Sequence, residues 1–103
     1  MSVYLISNVE VHDPEQFRNY QRPGRAAVFQ YGGKFLAEGA APEPFEGDWA
    51  PKRMAIVEFE NADAARRFYN SAEYQSARQH RLDAATFNIV LVDPETGIIG
   101  ELE

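Results

Sequence analysis

The 103 residues, 45% of them hydrophobic and 25% charged, have the composition of one globular domain without repeats, and at this length the core is thin enough that a partner subunit would add to it. The absence of cysteine excludes disulfides, thiolate metal sites and thiol nucleophiles. Ten Lys and Arg against sixteen Asp and Glu give a net charge of −6, which opposes nucleic-acid binding; with no basic leader and no long apolar run, membrane partners are not expected and a soluble cytoplasmic protein is.

The first segment, VYLISNVEV at 3–11, is rich in β-branched residues and apolar on both parities near its start, so it reads as a strand covered on both faces. Asp13-Pro14-Glu15 then combines a capping side chain, a proline suited to the first helical turn and an acid at the positive end of the dipole. The helix that follows repeats Phe17, Tyr20, Gly24, Ala27 or Val28, and Tyr31 at spacings of three and four. Pro23-Gly24 predicts a kink or two joined helices, and Gly32-Gly33 a C-terminal stop. KFLAEG at 34–39 reads as a short strand, and AAPEPFEGDWAP as a long irregular connection.

RMAIVEFE at 53–60 predicts a strand with Met54, Ile56 and Glu58 on one face and Ala55, Val57 and Phe59 on the other. Asn61 caps a helix whose inner face is Ala65, Phe68 and Tyr69; Ser71 is a second cap, so the helical region breaks near Asn70 and restarts to about Asp83. TFNIVLVD at 86–93 is the last strand, and the remainder is a tail beginning with a turn. Its apolar Ile98, Ile99 and Leu102 predict that the tail docks, either on its own subunit or on a partner.

Strand, helix, strand, strand, helix, strand is the order of two split βαβ units. It predicts an α+β, ferredoxin-like domain over 1–103, with a core at 1–93 and a tail at 94–103: a four-stranded antiparallel sheet with its helices on one face. The other face is left bare and largely apolar, which predicts a homodimer formed sheet to sheet.

These elements resemble the family of domain of unknown function 1330, a member of the dimeric α/β-barrel group. The resemblance runs from Tyr4 to Val92 and rests on VEVHDPEQFRNY, YGGKFLAEG, EGDWAPKRMAIVEF and AARRFYNSAEYQSARQHR, in that order. It departs at Pro23-Gly24, where relatives often continue the helix with alanines, and in the tail. The resemblance implies the fold, a dimer and a pocket between sheet and helices, with Ser71, Tyr74 and Arg81 at matching positions.

Several residues are candidates for that pocket. Arg53 and Trp49 lie together before the third strand and suit an anionic or aromatic ligand, or else an interface. Tyr74 and Arg81, two helical turns apart, share a face with Arg78 and suit a carboxylate; the alternative is a core tyrosine with snorkelling arginines. Glu58 and Asn8 are polar residues within apolar strands, and Glu58 there suits a general acid or base unless its end of the strand is wet. His80 is a second candidate for moving a proton, or a half-exposed helix residue. Neither His12 nor His80 forms a metal-ligand pair, and no phosphate loop or G-x-S-x-G is present, so no metal or cofactor is expected.

Two readings of function follow. One is a small dimeric barrel that binds a small anionic or aromatic metabolite, with room for cofactor-free proton transfer or oxygenase chemistry. The other is a non-catalytic dimeric module acting through a protein partner.

Overall fold

In a computed structural model, which describes residues 1–97, the chain forms β1 (Val3–Val11), α1 (Pro14–Gln30), β2 (Lys34–Ala40), β3 (Arg53–Phe59), α2 (Ala62–Tyr69), α3 (Ala72–Gln79) and β4 (Ala85–Val92), then a short 3-10 turn at Pro94–Thr96. The expected docking of Ile98, Ile99 and Leu102 falls outside the described residues.

The helix ends are set by the side chains that the sequence points to. Asp13 Oδ1 accepts from the Gln16 amide at 3.1 Å, Asn61 Oδ1 from Ala64 at 2.8 Å, and Ser71 Oγ from Tyr74 at 3.0 Å. Ser71 Oγ also donates to the Phe68 carbonyl at 2.7 Å, so one hydroxyl closes α2 and opens α3. At the end of α1, Gly33 N–H reaches Val28 O at 2.8 Å and Gly32 N–H reaches Phe29 O at 3.1 Å, with Gly32 at φ 83°. That paired arrangement requires a left-handed residue, which is why a glycine stands there.

Two boundaries differ from expectation. At Pro23-Gly24 the chain does not divide into two joined helices; α1 continues as one element, because proline's fixed φ is helical and only one backbone donor is lost, while Gly24, Ala27 and Val28 are buried. The last helix stops at Gln79 rather than near Asp83. Residues 80–84 turn tightly instead, with Arg81 N–H on Arg78 O and Ala84 N–H on Arg81 O, both at 3.0 Å. The Ala84 carbonyl then accepts from His12 and Asp13 amides at 2.8 and 3.0 Å, which ties this turn to the start of α1.

The four strands lie in the order β2-β3-β1-β4, and every neighbouring pair is antiparallel. Register sets Leu5 opposite both Val57 and Leu91, and Ser7 opposite Ala55 and Ile89; these residues look toward the helices. By alternation Tyr4, Ile6, Asn8, Met54, Ile56, Glu58, Val90 and Val92 look the other way, where no helix lies among the described residues. In the single chain Val90 is 58% exposed. Bulges at Phe35/Ala37 and Glu38/Ala40 bend β2 at the sheet edge, the second at Gly39 with φ 71°. The packed core sits at one end, where Val3, Phe59, Phe68, Ala27 and Val28 are buried together.

Candidate functional site: an arginine-floored cleft

Away from that core the helices stand off the sheet. A cavity of about 540 Å³ opens between α1 and the sheet, in the size range of small-molecule sites, and a second of about 420 Å³ opens on the α2 and α3 side. They share Leu5, Tyr69, Phe87 and Ile89, and so form two arms of one cleft. The space exists because the facing residues are small: Ser7 and Ala55 on the sheet, Gly24 on α1. Gly24 has a second effect. A Cβ there would lie 2.9 Å from Tyr20 Cζ, so its absence lets the Tyr20 ring lie back along the helix.

The charge distribution in the cleft opposes that of the chain. Arg18, Arg25 and Arg53 line the larger arm and Arg66, Arg78 and Arg81 the smaller, which is six of the ten Lys and Arg. Glu38 is the lone lining carboxylate among the described residues, and it is already held by Arg25 at 2.6 Å. In a protein of net charge −6, cations are thus concentrated where the helices part from the sheet.

Arg81 is the most unusual of them, being only 4% exposed. Its guanidinium lies over the Phe87 ring, 3.9 Å from the centroid, and Nη2 donates to Tyr74 Oη at 3.1 Å. Tyr74 Oη in turn lies 3.0 Å from Tyr20 Oη, with the two rings edge to face. No carboxylate pairs with Arg81 among the described residues, and its buried Nε has no hydrogen-bond partner; the same holds for the buried Nε of Arg78. A buried cation without a counter-ion is costly and uncommon unless something else supplies the charge. Burial, with the Tyr74 hydroxyl beside it, pushes the Tyr20 phenol far above its ordinary value, the nearby Arg81 notwithstanding, so Tyr20 keeps its proton.

Elsewhere the exposed pair Tyr31 and Glu73 is joined by a 2.7 Å hydrogen bond from the phenol to the carboxylate. That bond raises the Tyr31 phenol and lowers the Glu73 carboxyl, and it fastens the end of α1 to α3.

Of the residues singled out in the sequence, Arg53 and Tyr74 line the larger arm, and Arg81 lines the smaller while touching Tyr74. Asn8 and Glu58 lie on the opposite face of the sheet, because alternation along β1 and β3 sends them there. Glu58 stands across from Tyr4 and Lys34. His80 caps the end of α3, is exposed and lines neither arm; its carbonyl accepts from Gln16 Nε2 at 3.2 Å. Trp49 is 64% exposed on the loop between β2 and β3 and lines neither arm of the single chain. No cluster of three metal-ligating side chains occurs among the described residues. Tyr20 and Phe87 were not singled out; one reads as a stripe residue and the other as strand filler, and the only local signal was the glycine four residues after Tyr20.

A four-stranded antiparallel sheet with helices on one face, among the described residues, defines the class: an α+β domain of ferredoxin-like fold. The chain belongs to the family described as domain of unknown function (DUF1330), whose model matches residues 2–94. No curated protein matches it. Among solved structures it is similar to a protein of unknown function from Rhodopseudomonas palustris, at 19% identity and a TM-score of 0.70 over 93% of this chain and 84% of that one. It is also similar to SnoaB, a cofactor-independent oxygenase from Streptomyces nogalater, at 16% identity and a TM-score of 0.65 over 94% and 96% of the two chains. A dimeric ferredoxin-like protein of unknown function from Bacteroides fragilis is similar at 12% identity and a TM-score of 0.63, over 89% and 95%. At these identities the likeness is one of fold.

Proposed function

We propose that the protein is a homodimer whose chains each bind a small anionic or aromatic metabolite in the cleft between sheet and helices. The observation that carries this reading is Arg81: a cation 4% exposed, without a carboxylate partner among the described residues, at the wall of the smaller arm of about 420 Å³ and bonded to Tyr74 of the larger one. A structural arginine would have been paired or left at the surface. The dimer is supported by the bare apolar face, with Ile6, Ile56, Val90 and Val92 on it, and by the dimeric fold neighbours.

Cofactor-free proton transfer or oxygenation is the chemistry this reading accommodates, in line with the activity named for the Streptomyces fold neighbour. Arg81 and the phenols beside it would stabilise negative charge on the bound molecule. In the single chain neither Glu58, on the opposite face of the sheet, nor His80, which lines neither arm, stands where it could move a proton in the cleft.

The test is a thermal-shift screen of small carboxylates and phenolic or aromatic acids, with Arg53→Ala and Arg81→Ala in parallel. Ligand at a hundred times its dissociation constant stabilises by about 2.7 kcal/mol. A shift that Arg81→Ala abolishes supports the site. Silence across a broad panel would move the weight to a non-catalytic dimeric module with a protein partner.

A further inference from the structure

The hydrogen-bond count at the buried end of the cleft narrows the ligand further than shape and charge do. Tyr20 and Tyr74 together carry two phenolic protons and share one hydrogen bond. The third member, Arg81, is a guanidinium and only donates. Whichever phenol donates within the pair, one phenolic proton is left without an acceptor among the described residues, and both phenols line the larger arm. Arg81, bonded to Tyr74, also has an unpartnered Nε–H, as does Arg78, which lines the smaller arm together with Arg81. The group of four side chains thus presents three spare donors, and of its two oxygens, those of the phenols, Tyr74 Oη already accepts from Arg81, so donors are in excess. Leaving such donors buried and unmade is expensive, whereas one oxyanion satisfies several at once.

We propose that Arg81, Arg78, Tyr74 and Tyr20 form an oxyanion-reading subsite that selects an aromatic carboxylate, with the ring of the ligand held in the apolar arm by Phe17, Val28, Phe35 and Ile89. This rests on the reading that the cleft binds a small metabolite, and specifies its chemistry. The phenol pair of Tyr20 and Tyr74 is specificity-determining in it, since whichever of the two donates, the pair keeps one spare proton in the site. The subsite rejects an isosteric carboxamide, whose NH₂ would meet donors. A site built for one hydrogen-bonding pattern discriminates strongly against a group that leaves its buried partners unpaired.

The experiment compares 2-naphthoate with 2-naphthamide on the whole protein by calorimetric titration. The expected result is naphthoate binding at least tenfold tighter. In ¹⁵N spectra the Arg78 and Arg81 Nε–H signals shift with naphthoate and stay in place with naphthamide. The Tyr20→Phe/Tyr74→Phe double variant should bring the two affinities together; the wild-type comparison decides the question by itself if that variant does not fold. Equal affinity for the two probes, with unmoved Nε–H signals, overturns the oxyanion subsite while the binding cleft stands. Failure of both probes, together with silence in the broad screen, overturns the cleft reading itself.

Discussion

Replacing Arg81 by methionine should make the unliganded protein more stable, against the usual outcome for a buried side chain. The change forfeits guanidinium stacking on Phe87, 3.9 Å from the ring centroid, about 2 kcal/mol for a desolvated contact. It also forfeits the bond to Tyr74, about 1.5 kcal/mol for a charged donor. In return it removes a cation 4% exposed with no carboxylate partner among the described residues, whose burial costs several kcal/mol. Methionine keeps the apolar stem and adapts to the space left. The balance favours the variant by roughly 1 kcal/mol, which at this size is a rise in Tm of about 5 °C. Urea and thermal unfolding at one fixed protein concentration measure it, with an unchanged m-value showing that the denatured state is the same. A fall in Tm of that size or more would refute the reasoning, because it would mean that Arg81 serves the fold and needs no ligand to justify its place.

Three further outcomes follow from single sites. Because the Tyr20 phenol is raised in the folded state, the unfolded chain releases its proton first as pH climbs past about 10. Stability present below that pH is therefore lost above it, at about 1.4 kcal/mol per pH unit for this one group. The stability difference between wild type and Tyr20→Phe should fall by about 1 kcal/mol across pH 10 to 11, where ionisation of the unfolded phenol is still rising to completion, and parallel curves would refute it. Gly33→Ala places a Cβ 2.7 Å from Val28 Cγ1 and 2.9 Å from Phe59 Cζ and Val57 Cγ1 in the packed core, so it should cost about 1–3 kcal/mol in urea unfolding. Wild-type stability would mean that the core yields there. Ile56→Asp puts a charge on the bare sheet face, and light scattering at micromolar concentration should find a dimer for wild type and a monomer for the variant. A monomeric wild type would remove the sheet-to-sheet dimer.

Local signals in the chain determined the elements and most of their limits. Asp13, Asn61 and Ser71 cap helices because each is a short oxygen-bearing side chain one residue before a helical stretch, and Gly32 ends α1 because the turn needs φ 83°. The alternation in β3 was legible as well, and it sends Glu58 away from the helices, yet which face would meet the cleft could not be read from one strand. Arg81 was legible as a partner for Tyr74 at two helical turns, although the helix ends before reaching it and the bond is made from the following turn instead.

What only tertiary structure decided is the cleft's interior. Tyr20, Phe87 and Arg81 are distant in the chain and meet because α1, β4 and the turn after α3 converge over one end of the sheet. Burial, and with it the cost of an unpaired guanidinium and the raised phenol of Tyr20, belongs to that convergence. Periodicity reports which side of an element is apolar; it carries no information about which side chains from other elements arrive there, or whether the space between them is filled.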